Sequence, residues 1–202
     1  MWVCVGTLLL LGIASINVLA VDYEFILEDP EIFNECSDAP PGSLDIHGLF
    51  DLGNLRLTQV EEKVHVKGNI TTVWDVQPGD RVAASLSIFH FERGAWEPTV
   101  FSMSHPDFCS IMYGKDQYWY KAWSQFIANR NDIENNCLTT PGTMLVYEPF
   151  ELKLILNNVR SITLSGRYKF VIVFKAFDWT NMKRGKTICF EIRGDAEKLK
   201  NL

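Results

Sequence analysis

Apolar and polar side chains that alternate with period two mark a strand whose two faces meet different surroundings. Over residues 64–76 the even positions read Val64, Val66, Gly68, Ile70, Thr72, Trp74 and Val76; His65, Lys67, Asn69, Thr71, Val73 and Asp75 take the other face. Gln77-Pro78-Gly79-Asp80 then supplies turn chemistry, and Val82, Ala84, Leu86 and Ile88 open a second alternating run. The two runs predict a long hairpin. Residues 96–103 predict a further strand, which Pro98 assigns to an edge or a strand start. Later runs carry Phe150, Leu152, Leu154 and Leu156, then Tyr168, Phe170, Ile172 and Phe174. In the last run Ile188, Phe190 and Ile192 oppose Cys189, Glu191 and Arg193. Residues 23–27 and 44–57 add strands of unassigned register. Short strands separated by Gly, Pro and Asn predict an all-β fold, an antiparallel β-sandwich in one domain. Its inner faces would hold Trp74, Leu86, Phe101, Leu154, Phe170, Phe174 and Phe190, as a closed core or as the lining of an inter-sheet cavity.

One segment departs from this pattern. In residues 115–129, Tyr118, Trp119, Ala122, Trp123, Phe126 and Ile127 recur at spacings of one, three and four, which predicts an amphipathic helical insert. Gly114 precedes it and the polar residues 129–136 end it. Trp119, Trp123 and Phe126 would cover the sandwich, or form a lid over its cavity.

The first twenty residues carry no charged side chain. Their apolar run, residues 2–16, falls short of the roughly 18 needed to span hydrocarbon. Val18 and Ala20 lie three and one before a cut, so residues 1–20 read as a secretory signal peptide and residues 21–202 as the mature domain. Removing Cys4 with the leader leaves Cys36, Cys109, Cys137 and Cys189. An even count in a secreted chain argues for disulfides. Cys109 and Cys137 flank the helical segment and pair on that ground, which leaves Cys36 with Cys189. No cysteine pair has zinc-finger spacing. Asn69-Ile70-Thr71 is an N-glycosylation sequon, and Asn69 falls on the polar face of its strand.

Composition narrows the function. With 25 acidic residues against 19 Lys plus Arg, the chain carries a charge of −6 and no global attraction to nucleic acid or an anionic membrane. The histidines His47, His65, His90 and His105 belong to no metal or catalytic motif; His65 reads as solvated, His90 as partly buried at a strand end, His105 as part of a turn. No HExxH, G-x-S-x-G, Walker loop or GxGxxG occurs. The expectation is a binding protein and not an enzyme, without metal or cofactor. Thirteen Phe against six Tyr tilt any pocket toward apolar ligands.

Several stretches together resemble a known family: GNITTVWDVQPGDRV (68–82), DFC (107–109), the Trp/Tyr-rich segment, PGT (141–143), GRYKFVIVFKAFD (166–178) and ICFEIRGD (188–195). They are similar to insect secreted proteins related to the ganglioside activator protein, including the CheA and CheB chemosensory proteins. The resemblance covers nearly the whole mature chain. It implies the ML lipid-recognition fold, an immunoglobulin-like sandwich with a hydrophobic cavity between its sheets, whose members bind lipids without catalysis. It also implies a link between chain start and end, like Cys36–Cys189, and a role in gustatory response to pheromones such as long-chain cuticular hydrocarbons. The activator has more cysteines than the four found here, so its ganglioside specificity does not carry over. The partner expected is thus a hydrophobic small molecule, a lipid or long-chain hydrocarbon. Two other readings remain: a subunit docking on a chemosensory receptor ectodomain through Trp119, Trp123 and Phe126, and a presenter of lipid to a glycolipid hydrolase.

Overall fold

The computed structural model describes residues 20–160 and 163–199; the expected signal peptide lies outside them except for Ala20. In chain order the strands are β1 (Val21–Leu27), β2 (Asn34–Glu35), β3 (Phe50–Asp51), β4 (Leu55–Val60), β5 (Lys63–Thr72), β6 (Arg81–Glu92) and β7 (Ala95–His105). Two short helices follow, α1 (Tyr118–Ala122) and α2 (Arg130–Ile133), then β8 (Met144–Leu152), β9 (Ile155–Val159), β10 (Gly166–Phe177) and β11 (Lys183–Lys198). The larger sheet runs β7-β6-β10-β11-β1-β9, with β2 also on β11. The smaller sheet is built around β5, which pairs with β3, β4 and β8. All these pairings are antiparallel, and the fold is an all-β sandwich.

Register explains why the sheets pack. Phe174 sits opposite Ala84 on one side and Ile188 on the other, and Ile172 opposite Leu86 and Phe190. The even positions of β6, β10 and β11 thus form one apolar surface. In the smaller sheet Val64 opposes Leu152, Val66 opposes Phe150, and Ile70 opposes Leu145, which gives the facing surface. Between them lies the main core, which includes Trp74, Val82, Leu145, Phe174, Ile188 and Phe190. Each such side chain contributes about 1.5–3 kcal/mol on burial.

The predicted long hairpin does not form. β5 and β6 lie in different sheets, and residues 73–80 carry the chain across. The amide of Val73 donates to Leu49 O, Trp74 is buried in the crossing, and Asp80 N donates to Gln77 O in the expected turn. Alternation continues through the crossing because Trp74 and Val76 face the same core as β5. It records which side is buried and not which strand is the neighbour. The run through Leu154 divides for the same reason: Phe150 and Leu152 belong to β8, while Leu156 belongs to β9 of the larger sheet.

The helical insert is also not one helix. After α1, Trp123 leaves helical geometry at φ −140°, ψ −70°; a 3-10 turn covers Ser124–Phe126, and Ile127 is extended. Side-chain tethers outcompete the intrahelical ladder. Trp119 Nε1 donates to Ile111 O at 3.1 Å, Trp123 Nε1 to Tyr147 Oη at 2.7 Å, and Ser124 Oγ to Met112 O at 2.6 Å. An amphipathic stripe reports burial over those residues, but short helices depend on tertiary partners and take the shape these impose.

Both disulfides have the expected pairing, Cys36–Cys189 and Cys109–Cys137. Cys189 points to the outer face of the larger sheet and is nevertheless buried, because β2 and the residues after it lie beside β11. Two disulfides are compatible with an oxidising extracellular setting. No helix among the described residues is long and apolar enough to cross a membrane.

Candidate functional site

The inner face of the larger sheet is longer than the smaller sheet that covers it. Past the main core it carries a second apolar cluster, with Tyr23 and Phe25 from β1, Ile88 from β6, Tyr168 and Phe170 from β10 and Ala196 from β11. Leu154, Leu156, Val159 and Leu164, from the chain after β8, pack against it. β9 is the edge strand of the larger sheet here and pairs with β1, with a register irregularity between Val21 and Tyr23.

The cluster is tightly filled. Phe25 and Phe170 have ring centroids 4.4 Å apart, and His90 stacks on Tyr168 at 4.5 Å. Gly194 makes this possible: a Cβ there would stand 2.0 Å from Ile26 O and 2.9 Å from the Phe25 ring. A void of about 10 Å³ remains, lined by apolar surface of Phe25, Ile88, Phe101, Leu156, Leu164 and Phe170 among others. That is space for roughly one water molecule. Burial pushes the Tyr168 hydroxyl above the usual phenol range, with a hydrogen bond to the Ser165 backbone working against it, so this hydroxyl stays neutral near pH 7.

The seven residues that alternation placed inward do not share one cavity. Trp74, Phe174 and Phe190 belong to the main core, where Phe174 packs edge-on against Phe108 at 5.2 Å. Phe170 belongs to the second cluster, with Leu86, Phe101 and Leu154 packed against it. Sequence reasoning left out Phe25, whose strand was expected without a register, and Leu164, which lies outside any alternating run.

The helical insert stands over the main core and not over the second cluster. Trp119 packs on Phe108 at 5.2 Å, Trp123 faces Phe50 at 6.4 Å, and Phe126 stacks on Phe150 at 4.0 Å. These three rings close the flank of the sandwich and are partly buried there. Burial also pushes the Tyr147 hydroxyl upward, against the hydrogen bond from Trp123. Asn69 lies half-buried on the outer face of β5, with its Oδ1 buried and unpartnered.

Charge is concentrated away from this site. On the outer face of the larger sheet Lys169 and Glu191 side chains are each 1% exposed and meet at 2.8 Å. Glu191 Oε1 also accepts from Ser37 N and Oγ, and Oε2 accepts from Arg193. Phe89 and Trp96 close over the ammonium, each ring centroid 5.2 Å away. Burial pushes the Glu191 carboxyl up, but hydrogen bonds from Lys169, Ser37 and Arg193 outweigh it and hold the group below its ordinary value. Every oxygen is occupied, which leaves this carboxylate no free lone pair for chemistry. Among the described residues no group of His, Cys, Asp and Glu is arranged to hold a metal ion. Compared with known proteins, the chain matches no protein-family model and no curated protein sequence.

Proposed function

We propose that this chain is a secreted, non-enzymatic binder of a hydrophobic ligand, a lipid or long-chain hydrocarbon, received at the second apolar cluster. The observation that carries the reading is that this part of the inner face packs, among the described residues, against Leu154, Leu156, Val159 and Leu164 and not against the smaller sheet, with β9 as the edge strand beside it. A void of about 10 Å³ holds no such ligand, since ligand pockets run to about 300 Å³ or more. Uptake therefore requires β9 to lift from β1, where few ladder positions hold it. Apolar lining selects by length and shape, because an alkyl chain offers no hydrogen bond. The resemblance to the ganglioside-activator-related insect proteins supports the same reading, and with it the proposal of a role in chemosensory response to pheromones.

The test is native mass spectrometry of the disulfide-bonded protein with solvent extraction, followed by titration with a fluorescent fatty acid. Stoichiometric uptake is expected, reduced at least about tenfold by Ala196→Leu, whose added carbons exceed the void and press on its lining, in protein shown folded by its thermal transition, and unchanged by Phe126→Leu on the far flank. A protein that emerges empty and takes up no probe has a closed core, and the reading fails.

A further inference from the structure

The turn between β10 and β11 carries the most exposed large apolar side chain among the described residues. Trp179 is 94% exposed and Met182 is 68% exposed, whereas tryptophan is on average a largely buried residue. The exposure does not come from a loose loop. Asp178 Oδ1 accepts from Thr180 N at 2.9 Å, Thr180 Oγ1 at 2.6 Å and Met182 N at 2.9 Å. Asp178 N donates to Met182 O, Asn181 N donates to Asp178 O, and Asn181 takes the left-handed conformation at φ +64°. Arg81 braces the turn from β6 by donating to Asn181 Oδ1, and its guanidinium lies 4.5 Å from the Phe177 ring. The turn thus holds an indole out in solvent, with the ordering cost of its backbone already met.

The charge around this tip is opposite to that of the whole chain. Lys175 and Lys183 flank it, exposed, and neither has a carboxylate partner among the described residues. Arg184 is paired with Asp80 at 2.8 Å, Lys186 approaches Asp75 only to 4.0 Å, and the Asp178 carboxylate is engaged in the turn. At about 0.1 M salt, charges more than about 10 Å away are largely screened, so the tip acts through its local cations despite the net −6. Two apolar side chains on a convex tip are too few for a stable protein interface, which buries about 1,200 Å² or more. Trp with flanking Lys is instead the composition that settles at a membrane–water boundary, ring at headgroup depth and ammonium at phosphate.

We propose that the β10–β11 tip docks on a phospholipid surface, with Trp179 and Met182 entering the headgroup layer and Lys175 and Lys183 meeting lipid phosphates. Phe170 and the void stand toward one end of β10 and the tip lies beyond the other, so this docking is independent of ligand uptake, and either can fail alone.

Co-sedimentation of the disulfide-bonded protein with vesicles tests it, using phosphatidylcholine alone and phosphatidylcholine with phosphatidylserine, at about 0.1 M salt. Binding is expected to fall about tenfold in Trp179→Ala. In Lys183→Ala it falls about fivefold on the phosphatidylserine vesicles, while the phosphatidylcholine arm changes less. Because the Trp179 side chain is free, the thermal midpoint stays at the wild-type value, which separates lost docking from lost folding. Wild-type protein left in the supernatant of both vesicle types overturns the proposal, as does Trp179→Ala sedimenting like wild type. Trp179-dependent binding to cells that protease treatment abolishes, without binding to pure vesicles, overturns it in favour of a protein receptor.

Discussion

Glu191 shows how a charged residue on the face opposite its strand's apolar one becomes structural. Five donor groups reach its two oxygens, and its side chain is 1% exposed. Removing its charge leaves the Lys169 ammonium buried without a counter-ion, so Glu191→Gln is expected to cost about 3–5 kcal/mol in urea unfolding. The folded carboxyl titrates below its ordinary 4.5, so its contribution is fully present above that value and is lost as pH falls through the lower folded-state value. Asp80, held low chiefly by Arg184, acts with the same sign. The urea midpoint should therefore drop as pH falls below 4.5, and drop less steeply in Glu191→Gln. Gly194 is a second single-residue constraint. Its Cβ would meet backbone at 2.0 Å, so Gly194→Ala should cost about 1–3 kcal/mol, measured the same way.

At the scale of elements, the insert between β7 and β8 is a strap of short helical turns, held by individual side chains. α1 spans five residues, too few to be stable alone, and has no side-chain N-cap. Its stability comes from where Trp119, Trp123 and Ser124 are anchored. Trp123→Phe keeps an aromatic ring, smaller than the indole, and removes the hydrogen bond to the buried Tyr147 hydroxyl at 2.7 Å. A loss of about 1–3 kcal/mol is expected, with faster amide exchange across residues 118–128 and little change in β10. Uniform acceleration throughout the chain would contradict this picture of a separately anchored strap. β9 is held to β1 at few ladder positions, and the proposed uptake at the second cluster would require it to lift.

Across the whole molecule, Cys36–Cys189 joins the start of the fold to its last strand over a separation of 153 residues, against 28 for Cys109–Cys137. On chain-entropy grounds the longer closure is worth about 1.5 kcal/mol more. Replacing Cys36 and Cys189 by serine should lower unfolding stability by about 2–5 kcal/mol, and replacing Cys109 and Cys137 by less. Chemical denaturation of the two double variants, compared at one pH, decides the order. At the same scale, the void, the helical strap and the Trp179 tip occupy different parts of the sandwich.

Side-chain alternation was enough to specify that β5, β6, β10 and β11 are strands and which faces are apolar, because period two is a local property of extended chain. Cysteine count and the position of the insert were enough for both disulfides. Alternation could not say that residues 73–80 cross between sheets, because Trp74 and Val76 stay inward whichever sheet follows. Nor could it divide the apolar positions into two clusters, which depends on the smaller sheet ending before the larger one does. The helical stripe identified the buried aromatics, while the hydrogen bonds of Trp119 and Trp123 decided the backbone path. Trp179 lies in a turn without periodicity, so only the folded turn, with Asp178 and Arg81 holding it, decided that this indole stands in solvent.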